Sequence, residues 1–248
     1  MGDIEGRVVI VTGGGIGIGQ SYCRGFAEAG AHVVVADMDE ETAKRVAQDV
    51  DGLAVHVDVS DEASAKAMAM AAHERFGQID ILVNNAGLFT AILPMKPWTE
   101  ISVEEWDRVM AVNVRGYMLC ARAVFPYMKE RGWGRIINIG SNTSLSGVPG
   151  FLHYVTSKGA IMGLTRALAR EIGDTGITVN TITPGLVSTE GVKEHYSKEM
   201  LDSRVAARSI KRQQMPQDLV GAVMFLSSEG AGFITGQILN VDGGQIMH

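Results

Sequence analysis

The sequence of 248 residues predicts an α/β fold, a doubly wound parallel sheet of about seven strands with helices on both faces. Short apolar runs alternate with longer amphipathic runs along the whole chain, as in strand–helix–strand units with right-handed crossovers. The short runs are almost entirely apolar, so we expect both faces of the sheet to be covered. No linker, low-complexity tract or repeat interrupts the alternation, and residues 1–248 are expected to form a single domain.

Seven short apolar runs are the strand candidates, and they cover residues 7–12, 32–36, 53–57, 80–83, 134–140, 177–182 and 237–241. Helices are predicted between them, at residues 17–29, 39–49, 61–76, 103–131, 154–173 and 216–228. Residues 188–215 are polar and weakly periodic, which predicts an irregular, mobile loop or lid. The part of the chain that selects the substrate is expected at about 186–212.

The composition argues against several classes of protein. The net charge is -6 and no run of Lys or Arg occurs, so a nucleic-acid partner is not expected. No apolar stretch approaches the ~20 residues of a membrane-spanning helix, and the first residues do not resemble a signal peptide. Cys23 and Cys120 lie far apart and are expected to be reduced thiols. We therefore expect a soluble, cytoplasmic protein.

Glycine is over-represented, with 30 residues, and several of these glycines form a loop after the first strand. The loop reads Thr12-Gly13-Gly14-Gly15-Ile16-Gly17-Ile18-Gly19 and leads into a predicted helix. Its spacing differs from the common G-x-G-x-x-G fingerprint. Glycines let backbone N–H groups approach a ligand, and a helix N-terminus carries partial positive charge. The loop is therefore expected to bind a diphosphate, with a purely structural turn as the alternative.

An acidic residue, Asp37, ends the second predicted strand. A carboxylate about 20 residues beyond such a loop can accept hydrogen bonds from the adenosine ribose. It would also repel a 2′-phosphate, and no Lys or Arg occurs between Thr12 and Tyr22. These observations favour NAD over NADP. The alternative is that Asp37 only caps the following helix.

The motifs together resemble the short-chain dehydrogenase/reductase family over essentially the whole chain. The resemblance rests on the glycine loop, Asp58-Val59, Asn84-Asn85-Ala86-Gly87, Asn113, Ser141, Tyr154-x-x-x-Lys158 and Pro184-Gly185. It implies a Rossmann-type fold and an NAD-dependent oxidoreductase. It also implies a homotetramer, and the apolar tail Phe233–Met247 would suit one interface.

The resemblance implies a catalytic set of Asn113, Ser141, Tyr154 and Lys158. Tyrosine is a poor base at pH 7, but a nearby ammonium lowers its pKa, and Lys158 lies four residues after Tyr154. Tyr154 would act as general base in oxidation and as general acid in reduction. Ser141 would stabilise the substrate oxygen, and Asn113 would position a water that links Lys158 to solvent.

The resemblance also implies which residues contact the ligands. Asp58 is expected at the adenine, with a helix cap through Ser60 or Asp61 as the competing account of that corner. No metal is expected. The expected cofactor contacts are Gly13, Gly15, Ile16, Gly17, Ile18, Asp37, Met38, Asp58, Val59, Asn85, Ala86, Gly87, Tyr154, Lys158, Pro184, Gly185, Val187 and Thr189. The expected substrate contacts are Ser141, Thr143, Phe151 and Tyr154.

The substrate pocket is expected from residues 88–93, 142–153 and 186–212, of which the first two segments are mainly apolar and aromatic. This composition favours a hydrophobic, aryl or alicyclic secondary alcohol or ketone, and the sequence is similar to NAD-dependent aromatic-alcohol dehydrogenases. A 3-oxoacyl-thioester reductase is the alternative, and a dinucleotide-sensing protein without turnover is a third. His153 is expected to pack in the core, whereas Trp98 either covers the pocket or caps the core.

Overall fold

A parallel sheet of seven strands organises the structure, a computed structural model that describes residues 4–247. The strands are β1 (Val8–Thr12), β2 (His32–Asp37), β3 (Leu53–His56), β4 (Ile81–Asn84), β5 (Gly134–Ile139), β6 (Ile177–Pro184) and β7 (Ile238–Val241). Their order is β3-β2-β1-β4-β5-β6-β7, and every pairing is parallel. The predicted fold class is therefore confirmed. The strand order reverses between β1 and β4, which is where sheets of this type bind ligands.

Helices cover both faces of the sheet. They are α1 (Gly17–Glu28), α2 (Glu40–Asp49), α3 (Glu62–Phe76), α4 (Val103–Met110), α5 (Gly116–Arg131), α6 (Thr143–Ser146), α7 (Leu152–Ile172), α8 (Glu190–His195), α9 (Lys198–Ala207) and α10 (Gln217–Leu226). Residues of α1, α2 and α10 share one apolar cluster, and residues of α3, α5 and α7 share another. No helix within residues 4–247 combines the length and the apolar character needed to cross a bilayer.

Strand β1 shows why its sequence is apolar without alternation. Val9 and Val11 belong to the cluster on one face, whereas Val8 and Ile10 belong to the cluster on the other face. All four side chains are fully buried. Each of these side chains contributes about 1.5–3 kcal/mol by its removal from water, so the centre of the sheet holds the two layers of helices together.

The single helix predicted for residues 103–131 is wrong in detail. Helix α4 ends at Met110, a π-helical turn covers Ala111–Arg115, and α5 continues from Gly116. A π turn accommodates one more residue than an α turn, so it rotates the side chains that follow it. The buried side chain in this turn is Asn113.

The irregular loop predicted for residues 188–215 is also wrong, because this segment contains α8 and α9. The hydroxyl of Thr189 accepts a hydrogen bond from the Val192 N–H at 3.3 Å and caps α8. The hydroxyl of Ser197 accepts from the Met200 N–H at 3.3 Å and caps α9. Helix α9 has no buried residue, which explains why its sequence shows little apolar periodicity.

Candidate active site

The carboxyl ends of the central strands open into a cavity of about 440 Å³. The glycine loop after β1 lines one part of it, together with the residues that follow β2 and β4. The other part is lined by aromatic residues from the loop after β4, from α7 and from the segment after α8. We call these parts the loop half (Gly13, Asp37, Asp58) and the aromatic half (Phe89, Tyr196).

The loop half is shaped by the close contact of the glycine loop with β4. Gly13 has a φ of 63°, which disfavours a side chain, and its carbonyl accepts a hydrogen bond from Asn85 Nδ2 at 3.1 Å. A Cβ on Gly19 would overlap that carbonyl oxygen, so this position in the first turn of α1 requires glycine. Ile16 precedes α1 and provides no side-chain cap, which leaves the first amides of the helix available to an anion.

Asp37 connects the glycine loop to the end of β2. Its Oδ2 accepts a hydrogen bond from the Gly15 N–H at 2.9 Å, and its Oδ1 accepts from the Asp39 N–H at 3.1 Å. The cap of α2 is Asp39, which accepts from the N–H groups of Glu41 and Thr42. The alternative that Asp37 only caps a helix is therefore wrong. Its carboxylate lines the cavity with acceptor capacity remaining.

Asp58 is the second carboxylate of the loop half. Its Oδ1 accepts from the N–H of Ser60 at 2.8 Å and from the hydroxyl of Ser60 at 2.7 Å. Asp61 caps α3 by accepting from the Ala63 N–H at 3.1 Å. Asp61 therefore caps the helix, as the competing account expects, while Asp58 lines the cavity and its contact with adenine stays a prediction.

Tyr154 and Lys158 lie one turn apart at the start of α7, and both side chains line the cavity. Lys158 is buried, and its Nζ donates hydrogen bonds to the Ile139 carbonyl at 2.8 Å and to the Tyr117 hydroxyl at 3.2 Å. The Nζ atom lies 5.8 Å from the centre of the Tyr154 ring. Burial lowers the pKa of Lys158 to about 7, so this ammonium can release its proton near neutral pH.

Burial raises the pKa of Tyr154, whereas a hydrogen bond with the Ser141 hydroxyl lowers it. Ser141 Oγ also accepts hydrogen bonds from the Thr143 N–H at 3.2 Å and from the Thr143 hydroxyl at 3.0 Å. Ser141 is thus held by Thr143 and directed toward Tyr154. A reacting oxygen in this corner would face two hydroxyl groups.

Asn113 lies behind this group and does not line the cavity. Its Oδ1 accepts from the Leu88 N–H at 2.7 Å, and its Nδ2 donates to the Ser157 hydroxyl at 3.1 Å. Gly87 separates it from the cavity, since a Cβ there would lie 3.3 Å from Asn113 Oδ1 and 3.5 Å from Lys158 Nζ. Asn113 therefore fastens the loop after β4 to α7, close to the lysine.

Aromatic rings form a continuous surface on the other side of Tyr154. The Phe89 ring lies 5.3 Å from that of Tyr154, 5.7 Å from that of Phe151 and 6.4 Å from that of Tyr196. Phe151 and Tyr154 are stacked at 4.8 Å. Arg204 of α9 also lines the cavity. This half is therefore suited to an aryl or other apolar group.

Comparison with known proteins identifies the family of the chain. A family model described as enoyl-(acyl carrier protein) reductase matches residues 14–245. The chain belongs to the short-chain dehydrogenase/reductase family. It is 42% identical to an uncharacterized oxidoreductase of Mycobacterium tuberculosis (strain CDC 1551 / Oshkosh), over 98% of each chain. The protein is thus an oxidoreductase by family.

Two further relatives carry more specific descriptions. The chain is 36% identical to a (2S)-[(R)-hydroxy(phenyl)methyl]succinyl-CoA dehydrogenase subunit of Thauera aromatica, over 98% of this chain and 97% of that one. A 3-ketoacyl-(acyl-carrier-protein) reductase from Brucella melitensis, complexed with NADH, is 36% identical in its crystal structure. That match has a TM-score of 0.91 and covers 98% of this chain and 100% of that chain.

Most residues that the family resemblance implies as ligand contacts line one cavity. Gly15 is the exception among these contacts, and its N–H binds Asp37. Asn113, which belongs to the implied catalytic set, is buried behind Gly87 and does not line the cavity either. The residues that do line it are Gly13, Ile16, Gly17, Ile18, Asp37, Met38, Asp58, Val59, Asn85, Ala86, Gly87, Ser141, Thr143, Phe151, Tyr154, Lys158, Pro184, Gly185, Val187 and Thr189.

Two residues considered for the pocket lie outside it. His153 is buried, and its Nε2 lies 2.9 Å from Glu105 Oε1, so it packs between elements as expected. Trp98 is 69% exposed and shares a shallow surface groove with Trp106 and Leu152. It neither covers the cavity nor caps the core, so both expectations for Trp98 are wrong.

The sequence did not point to Tyr117 or Gln245, and it placed Arg204 only within the expected substrate segment 186–212 without singling it out. Tyr117 is an aromatic residue on a buried helix face, which is the ordinary composition of a core. Arg204 belongs to the polar, weakly periodic helix α9, and Gln245 lies beyond the last strand. Only the three-dimensional structure places these side chains at Lys158 or along the cavity.

Proposed function

We propose that the protein is an NAD-dependent dehydrogenase that interconverts a secondary alcohol and a ketone, with Tyr154 as the general acid and base. The observation that carries the proposal is the grouping of Tyr154, Lys158 and Ser141 around one corner of the cavity. A hydroxyl that can exchange its proton and an ammonium beside it are what this reaction needs from the protein.

The loop half fits a nicotinamide dinucleotide. The uncapped start of α1 suits a diphosphate, and the carboxylates of Asp37 and Asp58 suit the hydroxyl and amino groups of adenosine. Asp37 would repel the 2′-phosphate of NADP, which is why we propose NAD. When bound, the dinucleotide carries the hydride.

In the oxidation direction, the phenolate of Tyr154 takes the proton of the substrate hydroxyl. The carbinol carbon gives up its hydrogen with both C–H electrons as a hydride, which a bound dinucleotide would accept, and the C–O bond becomes a carbonyl. Lys158 in its charged form favours the phenolate, and the Ser141 hydroxyl donates to the substrate oxygen. Reduction reverses each transfer, so that Tyr154 returns the proton.

The aromatic half favours an apolar substrate with an aryl or alicyclic group. The relative from Thauera aromatica, whose name describes a hydroxy(phenyl)methyl compound, supports this class. The competing function is reduction of a 3-oxoacyl thioester, which the Brucella melitensis reductase supports. That reductase is complexed with NADH, so a preference for NAD does not by itself separate the two functions.

A panel of alcohols tests the proposal. Aryl carbinols, cyclic alcohols, polyols, steroids and 3-hydroxyacyl thioesters are offered with NAD or NADP, and reduced cofactor is followed at 340 nm. We expect the highest kcat/KM for an aryl or cyclic alcohol with NAD. A higher kcat/KM for 3-hydroxyacyl thioesters would favour the competing function.

A pair of variants tests the role of Tyr154. Tyr154→Phe is expected to reduce kcat by about 10²–10⁴-fold, because it removes the group that exchanges the proton. Tyr127→Phe removes the same atom from an α5 residue outside the cavity and serves as the control. Near-normal turnover of Tyr154→Phe with the best alcohol would rule out this mechanism.

We also propose that the protein is a homotetramer. Apolar side chains in the last part of the chain support this proposal, since Phe233 is fully exposed and Leu239 and Met247 are exposed. Sedimentation equilibrium is expected to give about four chain masses. A monomer at micromolar concentration would contradict it.

A further inference from the structure

Charged side chains are distributed unevenly along the cavity. Asp37 and Asp58 line the loop half, Lys158 lies at the catalytic corner, and Arg204 lines the aromatic half. Within residues 4–247, no Asp or Glu lines the aromatic half. The substrate end of the cavity is therefore positive, while the adenosine end is negative.

Arg204 lacks a carboxylate partner. It is half-buried, and its guanidinium makes no hydrogen bond or ion pair with any residue between 4 and 247. The acidic residues of its own helix are engaged elsewhere, because Asp202 pairs with Lys198 at 2.7 Å and Glu199 bonds at the Ser197 cap. A partly desolvated cation without a partner is unfavourable, and an anion bound beside it would offset that cost.

Two neighbouring groups interact electrostatically with Arg204, and neither is a carboxylate. Arg208 is a second cation, but Asp242 and Asp218 act on it more strongly than Arg204 does. The other interacting group is Tyr196, a phenol that is ordinarily neutral at pH 7, and burial raises its pKa further. Neither neighbour neutralises the guanidinium.

An apolar surface separates Arg204 from the catalytic corner. From Tyr154, the rings of Phe89 and Tyr196 follow at successive centre-to-centre distances of 5.3 and 6.4 Å, and Arg204 lines the same cavity and interacts electrostatically with Tyr196. We infer that the substrate carries an anionic oxygen group, a carboxylate or a phosphate, that binds Arg204 and is separated from the carbonyl by an apolar body. A guanidinium can bind both oxygens of such a group at once.

This inference rests on the proposed function, and paired ketones test it. The probes with a carboxylate are 4-acetylbenzoate and its longer biphenyl homologue, each compared with its methyl ester. The probe with a phosphate is 4-acetylphenyl phosphate, compared with 4-methoxyacetophenone. Reduction is followed with NADH. A preference for the acids over their esters identifies a carboxylate, and a preference for the phosphate over its ether identifies a phosphate.

Variants of α9 provide the decisive comparison. We expect the wild type to favour at least one anionic ketone over its neutral partner by about tenfold to a hundredfold in kcat/KM, mainly through KM. Arg204→Gln should abolish that ratio, and Arg204→Lys should restore part of it. Lys211→Gln removes an exposed cation outside the cavity, whose Nζ donates to the Ala206 carbonyl at 2.8 Å, and it should leave the ratio unchanged. Raising the salt concentration should weaken the preference in the wild type.

An equal ratio in the wild type and Arg204→Gln would overturn the inference, and so would a preference for the neutral ketones. Calorimetric titration of the acids and esters into the protein gives a readout without turnover. There, Arg204→Gln should weaken the Kd of the preferred anion at least about tenfold, and an unchanged Kd would overturn the inference. If the anion binds through Arg204 but no ketone is reduced, the proposed function fails and the anion site stands.

Discussion

The buried Lys158 should make the stability of the protein depend on pH in an unusual direction. Burial lowers its pKa from 10.5 to about 7, although hydrogen bonds to Ile139 and Tyr117 offset part of the cost of desolvation. Between these two values the unfolded chain binds a proton that the folded chain has released. The free energy of unfolding therefore rises with pH across this window, and the contribution is lost as the pH falls toward 7. Lys158→Met removes this dependence.

The size of the effect follows from the two pKa values. Near pH 8, the unfolded state binds almost one more proton than the folded state, which gives a slope of about 1.4 kcal/mol per pH unit at most. From pH 7 to pH 9, Lys158 thus adds roughly 2 kcal/mol to the free energy of unfolding. For a chain of this length, that is about 4 °C in the melting temperature. Between pH 7 and pH 9, we expect the melting temperature of the wild type to rise by this amount relative to that of Lys158→Met.

Thermal and urea unfolding of both proteins without dinucleotide, at half-unit steps from pH 7 to pH 9, measures the difference. Lys66→Met removes a 64% exposed ammonium and should follow the wild type at every pH. Parallel pH dependence of the wild type and Lys158→Met would refute the reasoning. In that case the hydrogen bonds would hold the proton on Lys158 throughout the range.

Three further predictions concern the cofactor and the lysine. Asp37→Ser should raise the ratio of kcat/KM with NADP to that with NAD by at least about tenfold, because it removes the charge that repels a 2′-phosphate; an unchanged ratio in the 340 nm assay would contradict this. Gly19→Ala should weaken NADH binding, measured by fluorescence titration, because the added Cβ overlaps the glycine loop. The control Gly221→Ala places a Cβ in open space on α10, so it should keep the NADH affinity and gain up to about 1 kcal/mol of stability. Equal NADH affinities of the two variants would argue against the loop as the binding site. Tyr117→Phe removes an acceptor from the Lys158 ammonium and should move the lysine-dependent limb of the pH profile of kcat/KM to lower pH; superimposable profiles would show that Tyr117 has no such role.

The sequence predicted those parts of the site that depend on local backbone chemistry. The glycines after β1 and the carboxylate after β2 have their roles because of where strands end, and parallel strands end at one edge of the sheet. The spacing of Tyr154 and Lys158 follows from a single helix. These features need only the order of elements, which the apolar pattern already indicates.

The parts that the sequence missed depend on contacts between distant segments. The π turn at Ala111–Arg115 adds one residue to a helical turn and so changes the direction of the Asn113 side chain. The apolar periodicity of a long helix is too coarse to reveal a single added residue. Helices α8 and α9 are weakly patterned because they bury little, so the sequence indicated the segment 186–212 but not Arg204 itself. The hydrogen bond between Tyr117 and Lys158 joins residues 41 positions apart.

The hydrogen bond from the Gly15 N–H to Asp37 has a consequence for protein engineering. The carboxylate that we propose distinguishes NAD from NADP also supports the loop that would hold their shared diphosphate. Selectivity and affinity are therefore coupled at one side chain. A substitution of Asp37 that admits NADP also removes the hydrogen bond that supports the glycine loop. An efficient change of cofactor preference therefore requires a second substitution that supports Gly15 independently.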